Sequence, residues 1–361
     1  MSNGSGVEDA KPGRSLTYKD AGVDIGAGNE AVRRIQAIVE STHIDGVVGG
    51  IGGFAGAFAM PSGLQEPLLV SSTDGVGTKL LVAIAMDRHD TVGVDLVAMV
   101  VNDMLVTGAK SLFLLDYIGT GVLAPQKAEA LVAGVANGCR QARCALIGGE
   151  MAELPGMYAS GHYDLAAFGV GVVEKQRAWG PQRVRVGDRV IALHASGLHS
   201  NGYSLARRAL LEPDFAGLGL DDPLPTAPEV SVGEALLTPT RIYERALAPL
   251  RALDPCPVHA AANITGGGLL ENPQRGLAEN QGVRLDLRAV PIPPVMQAIA
   301  AQGVSLEEMR RTFNGGVGML LYVDREQAEP TLAAVRETGC DASLVGEVVE
   351  RLGGDPVRFE A

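Results

Sequence analysis

The sequence predicts an α/β (α+β) chain of two domains, each a sheet covered by helices. Three observations predict it. Strand-like and helix-like segments alternate through both halves, the pattern of helices packed on sheets. At 361 residues the chain is too long for one ordinary core. A polar stretch over 174–188, with the single Trp179 and the turn signal Gly180-Pro181, separates the halves. The expected domains are therefore 16–174 and 175–361, after a small, polar, flexible tail over 1–15 that lacks the apolar segment of a secretory signal.

In the first half, Pro67 to Ser72 reads as a strand and Asp95 to Val106 as a helix ended by Gly108. Ser111 to Tyr117 is a strand. Pro125 to Ala142 is an Ala-rich helix whose proline suits a first turn, where its missing N–H is not needed. Ala145 to Ile147 is a short strand emptying into Gly148-Gly149-Glu150, and Asp164 to Val173 closes the half. The second half opens with the strand Arg189 to His194 and the helix Tyr203 to Leu211. Pro213 to Pro228 is loop-rich, and helices follow around Ser231–Leu237 and Arg241–Leu253. Strands at Met319–Val323 and Ser343–Val349 flank a helix near Gln327–Thr338.

Composition excludes several classes. With 46% hydrophobic and 20% charged residues the chain is globular, and no apolar run approaches the ~18 residues that span a bilayer, so no membrane role is expected. The four cysteines form no CxxC pair, which favours reduced, buried thiols in a cytoplasmic protein over a zinc site. Cys139 and Cys144 are near enough to face one another, though their spacing does not require it. A net charge of −12 opposes a nucleic-acid partner. An anionic ligand must then be met locally, by metal, backbone N–H groups and a few placed cations.

The most informative segment is Thr73-Asp74-Gly75-Val76-Gly77-Thr78-Lys79, directly after a strand. A carboxylate, two glycines, a hydroxyl and an ammonium at one strand end suit a metal-bound polyphosphate. The order differs from a Walker A loop, and no GxGxxG opens a helix here, so a different nucleotide-binding fold is implied. On the next helix, Asn102 and Asp103 interrupt an apolar run, where an unpaired carboxylate is unfavourable. Alone, Asp103 is as readily the exposed face of an amphipathic helix. Together with Asp74, and with Asp95 two turns upstream, it supplies the oxygen ligands that Mg²⁺ takes beside water and phosphate. Glu150 and Glu153, at a strand end, are a further acidic contribution or a solvated turn.

Gly49-Gly50-Ile51-Gly52-Gly53-Phe54-Ala55-Gly56 can line N–H groups along a phosphate, or can mark a tight backbone crossing; the residues leave both open. Ser196 to Ser204 joins a strand to a helix that Ser200 or Asn201 would cap, leaving amides aimed at an anion such as a phosphomonoester. His199 is placed to bind phosphate or move a proton, or else is satisfied by backbone carbonyls. Asn263-Ile264-Thr265-Gly266-Gly267-Gly268 and Thr312-Phe313-Asn314-Gly315-Gly316-Val317-Gly318 add two polar Gly-rich loops, which would wall a cleft from the second domain.

These segments, in this order, resemble the AIR synthetases, the phosphoribosylformylglycinamidine cyclo-ligases. The match also includes Tyr18 to Asp24, the Gly49–Gly53 loop, Asp95 to Asp103 and Gly148 to Tyr158, and runs from about residue 16 to 350. The resemblance implies N-terminal domains pairing into a barrel-like dimer core, a C-terminal α/β sandwich, and a nucleotide cleft near the dimer interface. It implies ATP-dependent closure of formylglycinamidine ribonucleotide to aminoimidazole ribonucleotide, with ADP and phosphate released. In that reading Gly50, Gly52, Gly53, Asp74, Gly75, Gly77, Thr78, Lys79, Asn102 and Glu150 bind ATP, and Asp74 and Asp103 hold Mg²⁺. Ser200, Asn201, Gly202, Thr265, Gly266 and Gly267 hold the substrate phosphate, and His199, Lys79 and Asp103 are catalytic.

Three positions depart from the family pattern. Gln36 stands where the family carries lysine, Asn263 where related ATP-using enzymes carry an acidic metal ligand, and Leu198 where proline is common. No ligand role is assigned to Gln36 or Asn263. Two other readings compete: a phosphotransferase of the selenophosphate synthetase or thiamine-phosphate kinase type, and a non-catalytic nucleotide-binding protein. The first would carry extra aspartates in the first Gly-rich loop, and the second would have lost Asp74, Asp103 or the serine loop.

Overall fold

A computed structural model describes residues 17–360, so the expected 1–15 tail lies outside the described residues. The first domain carries a four-stranded sheet in the order Pro67–Gly75, Tyr163–Glu174, Lys110–Thr120, Ala145–Glu153. The first two pairings are antiparallel and the last is parallel. The helices Asp90–Leu105 and Pro125–Ala142 pack behind it, with Ile25–Glu40 against Pro125–Ala142. Asp90–Leu105 is apolar almost all round because it lies between sheet, neighbouring helix and second domain. Its Gly93 faces Gly134 across the crossing, and a Cβ at either would strike the other helix's backbone, so these glycines let the two helices touch.

The other face of this sheet is bare. Leu69, Phe168 and Tyr117 stand on it with exposures of 64%, 43% and 38%. Among the described residues this sheet is open and forms no closed barrel, so the barrel-like core implied by the resemblance requires a second copy.

The second domain holds a six-stranded sheet in the order Val258–Asn263, Val317–Val323, Arg189–His194, Ala342–Glu350, Gln281–Leu285, Val357–Phe359. All pairings are antiparallel except the last. One face carries Tyr203–Leu211, Glu244–Ala252 and Ala328–Glu337; the opposite face buries a smaller cluster that includes Val190, Leu277, Val283 and Tyr322. The main core runs without a break from Leu96 and Val100 in the first domain to Leu193, Tyr243 and Leu321 in the second.

Three predicted elements coincide with the structure: Pro125–Ala142, Arg189–His194 and Tyr203–Leu211. One differs in a way that matters. Gly148, Gly149 and Glu150 lie inside the Ala145–Glu153 strand, paired to Leu115, Asp116 and Tyr117, and not in a loop beyond it. Gly149 reads as a strand end by propensity, but the Asp116 side chain fills the space its Cβ would take. The strand Val258–Asn263 went unpredicted because its centre, His259-Ala260-Ala261-Ala262, lacks the β-branched residues that mark strands.

Candidate active site

The Pro67–Gly75 strand runs to its last residues with Asp74, whose Oδ1 accepts from the Gly75 N–H at 2.7 Å. Gly77, at φ +73°, then turns the chain into a short helical turn. A cleft of about 420 Å³ opens here, lined by Asp74, Gly75, Gly77, Asp164, Ser200 and Asn201 among others. Asp103 projects from the helix behind the sheet, close enough for its charge to act on Asp74. From the second domain Asn263 donates its Nδ2 to Asp103 Oδ1 at 2.8 Å.

Both carboxyls sit above their ordinary pKa. Burial raises Asp74 most, the Gly75 N–H pulls it back, and the Asp103 charge pushes it up again. Burial raises Asp103, opposed by the Asn263 hydrogen bond and the Arg275 charge. Solvent still reaches Asp103. Two crowded hard-oxygen groups of this kind fit a divalent cation such as Mg²⁺, whose charge would relieve their repulsion. Among the described residues no third acidic, His or Cys side chain joins them as a ligand set, which leaves the other positions to water and ligand phosphate.

The opposite wall comes from the second domain. Ser200 Oγ donates to the Val76 carbonyl at 2.7 Å, and Thr78 Oγ1 lies 3.3 Å from Ser204 Oγ, so the serine loop is stitched to the acidic turn. The cap of Tyr203–Leu211 is Gly202, in the left-handed region, and neither Ser200 nor Asn201. Ser200 is drawn away by its bond to Val76. Gly202 abuts Phe313 and Thr312, while Gly266 lies beside Asn201, so the Thr265–Gly267 and Thr312–Gly318 segments converge on the serine loop. Asn272, fully buried, holds the Thr265 turn by accepting from Thr265 N and donating to Gly266 O. Asn314 ties the third loop in by donating to Gly197 O at 2.9 Å.

Other predicted residues stand elsewhere. Lys79 is wholly buried and paired to Asp95, so its ammonium does not face the cleft. Burial and the Lys79 and Arg241 charges push His199 down to about 3, so it is a neutral histidine. It is 2% exposed and its Nε2 accepts from the Ser196 N–H, so a backbone amide and not the expected carbonyl meets the ring. Asn102 is buried with both ends engaged, donating to Arg241 O and accepting from Tyr243 N, as a tie between domains.

Glu150 lies on the sheet edge opposite Asp74, two strands intervening, roughly 14 Å away at the usual strand spacing. Glu153 accepts from the backbone of Asp24 and Leu123 and serves as a clamp. The Gly50, Gly52 and Gly53 loop extends into open space from the same far edge, where Gly56 packs on Ile147. Gln36 pairs with Glu40 on an exposed helix face. Sequence reasoning missed Asp164. It lines the cleft because the Pro67–Gly75 and Tyr163–Glu174 strands pair Gly75 with Ala166, and that register cannot be read from one sequence.

Two α/β domains that share one polar cleft, with carboxylates from one and a hydroxyl- and amide-rich loop from the other, suit an enzyme that handles a phosphorylated ligand. Residues 57–173 match the N-terminal domain, and 185–357 the C-terminal domain, of AIR synthase related proteins. The chain belongs to that family, and within it to the phosphoribosylformylglycinamidine cyclo-ligases, ATP-using enzymes of purine biosynthesis. It is 53% identical to the cyclo-ligase of Sorangium cellulosum over 336 residues, covering 93% of this chain and 96% of that one. It is 48% identical to that of Geotalea daltonii, covering 93% and 95%.

Among solved structures, thiamine-monophosphate kinase from Stenotrophomonas maltophilia matches with a TM-score of 0.66 at 20% identity, covering 92% of this chain and 96% of that one. A hydrogenase maturation protein HypE in complex with ATP matches at 0.63 and 19%, covering 91% and 88%. At that identity the likeness extends to the fold alone.

Proposed function

We propose that ring closure takes place in the cleft between Asp74 and the serine loop. The observation that carries this reading is the convergence of Asp74 and Asp164 from one domain and the Ser200-Asn201 loop from the other on a single cavity. ATP transfers its γ-phosphoryl group to the formamide oxygen of formylglycinamidine ribonucleotide, giving an imino-phosphate. The amidine nitrogen attacks that carbon, the C–O bond to phosphate breaks, and aminoimidazole ribonucleotide, ADP and phosphate leave.

Asp74 and Asp103 would hold Mg²⁺, which would supply neutralisation of the phosphoryl charge. Asn201, the serine-loop backbone and the N–H groups of Gly266 and Gly267 bind the ribose phosphate, while the Ser200 hydroxyl, donated to the Val76 carbonyl, and the Thr265 N–H, accepted by Asn272, hold the two turns in place. Holding both substrates aligned supplies much of the rate, since closure is then intramolecular. The neutral His199 shapes the loop and does not move a proton. The exposed sheet face bearing Leu69, Phe168 and Tyr117 supports a homodimer. Free cysteines support a cytoplasmic location.

The test is ADP release from ATP and Mg²⁺ with formylglycinamidine ribonucleotide. Turnover is expected; ATP binding without turnover refutes the reading. Asp74→Asn is expected to remove Mg²⁺-dependent turnover while the melting temperature holds, and unchanged activity removes Asp74 from the site.

A further inference from the structure

Lys79 lies five residues after Asp74 in the segment that reads as a phosphate loop, yet its Nζ has no donor left for a phosphate. An ammonium has three N–H donors. Here they meet Asp95 at 2.9 Å, the His199 carbonyl at 3.1 Å and the Thr238 carbonyl at 2.7 Å. The side chain is 0% exposed, and the Tyr203 ring packs 5.4 Å from Nζ.

Each acceptor belongs to a different part of the site. Asp95 is on the helix that carries Asp103, and also accepts from Thr240 N and Oγ1 at 2.8 and 2.5 Å. The His199 carbonyl immediately precedes Ser200. His199 adopts φ +63°, an uncommon conformation for a non-glycine residue, and in it the carbonyl meets Lys79. Thr238 follows the Val232–Leu237 helix of the second domain.

We propose that Lys79 is a positioning residue, a three-way pin that sets the distance between the acidic wall carrying Asp74 and Asp103 and the serine loop carrying Ser200 and Asn201. It contacts neither ATP nor the second substrate. This role rests on the cleft being the reaction site, as proposed above.

Two experiments test it. The first needs no variant and no turnover. Native protein is treated with an amine-acetylating reagent with and without MgATP, and labelling is mapped by mass spectrometry. Lys79 is expected to stay unlabelled in both samples and to label only after denaturation. Labelling of the free protein that MgATP blocks overturns the proposal, because it would place the ammonium in the ligand cleft.

The second compares Lys79→Met with the double variant Lys79→Met/Asp95→Asn, in which neither buried charge remains. The double variant is expected to recover melting temperature. Its kcat/KM for the second substrate is expected to stay depressed by about 100-fold, the scale of a misplacement near 1 Å, with the KM for ATP changing far less. Recovery of wild-type kinetics along with stability, or wild-type kinetics in the single variant, overturns the proposal and leaves Lys79 with a folding role only. If neither variant folds, Lys79 has a folding role and the positioning proposal is overturned. Absence of turnover in the wild type fails the cleft assignment, whereas the labelling pattern tests the pin independently.

Discussion

Asp116→Asn is expected to stabilise the protein, increasingly so as pH rises. Asp116 sits mid-strand, paired to Gly149 on one side and Ala167 on the other. Among the described residues no side chain donates to its carboxyl, and burial pushes its pKa up to about 7, opposed only by its own N–H. An acid with a raised folded pKa keeps its proton longer folded than unfolded. Its stabilising contribution is therefore complete below the unfolded value near 3.8 and is lost as pH climbs through about 7.

A shift of roughly three units corresponds to about 4 kcal/mol at pH 8. Water reaches part of this residue, so about 2 kcal/mol is the expected difference. Asparagine keeps the shape and removes the charge. Urea denaturation of both proteins from pH 4.5 to 8.5 gives the difference curve, which should start near zero and rise toward alkaline pH. A flat curve across that range, or a less stable variant at pH 8, refutes the argument that an unpaired buried charge sits at this position.

Other expectations concern the ties around the cleft. Asn102→Ala leaves the Arg241 carbonyl and the Tyr243 N–H without partners and should destabilise by about 3 kcal/mol in urea titration; a change under about 0.5 kcal/mol contradicts the hydrogen bonds drawn here. Gly318→Ala drives a methyl into Tyr243 and His199 and should lower stability by about 1–3 kcal/mol, with an unchanged midpoint showing that the packing yields. Mg²⁺ should raise the melting temperature more at pH 7.5 than at pH 4.5. The raised folded pKa values of Asp74 and Asp103 mean that their stabilising contribution falls as pH rises from near 3.8, and bound cation restores it. Equal Mg²⁺ effects at both pH values argue against this carboxylate pair as the site.

Much of the site is visible in the sequence because it is local. The Asp74-Gly75-Val76-Gly77 turn and the Ser200-Asn201-Gly202 turn announce themselves by residue type after an apolar run. Lys79 and His199 show where such reading ends. An ammonium and an imidazole in polar motifs suggest ligand chemistry, but their partners are set by folding: Asp95 by the neighbouring helix, Thr238 by the second domain and Ser196 by the turn of the loop itself. Glu150 was misplaced for another reason. Two glycines resemble a strand end, and only the side chain of Asp116 across the ladder explains why the strand continues through them. Asp164 needed a register between distant strands.

The single core that crosses from Leu96 to Leu321 makes the two sequence domains one mechanical body. A protein whose lobes meet through apolar packing, the Lys79 bonds to the His199 and Thr238 carbonyls and the ties of Asn102 does not open like a jaw. The width of the cleft is then a fixed dimension of the fold, closer to a gauge than to a hinge. Severing the chain between the domains would expose the shared core on both fragments, so the two halves should be obtained in folded form only together.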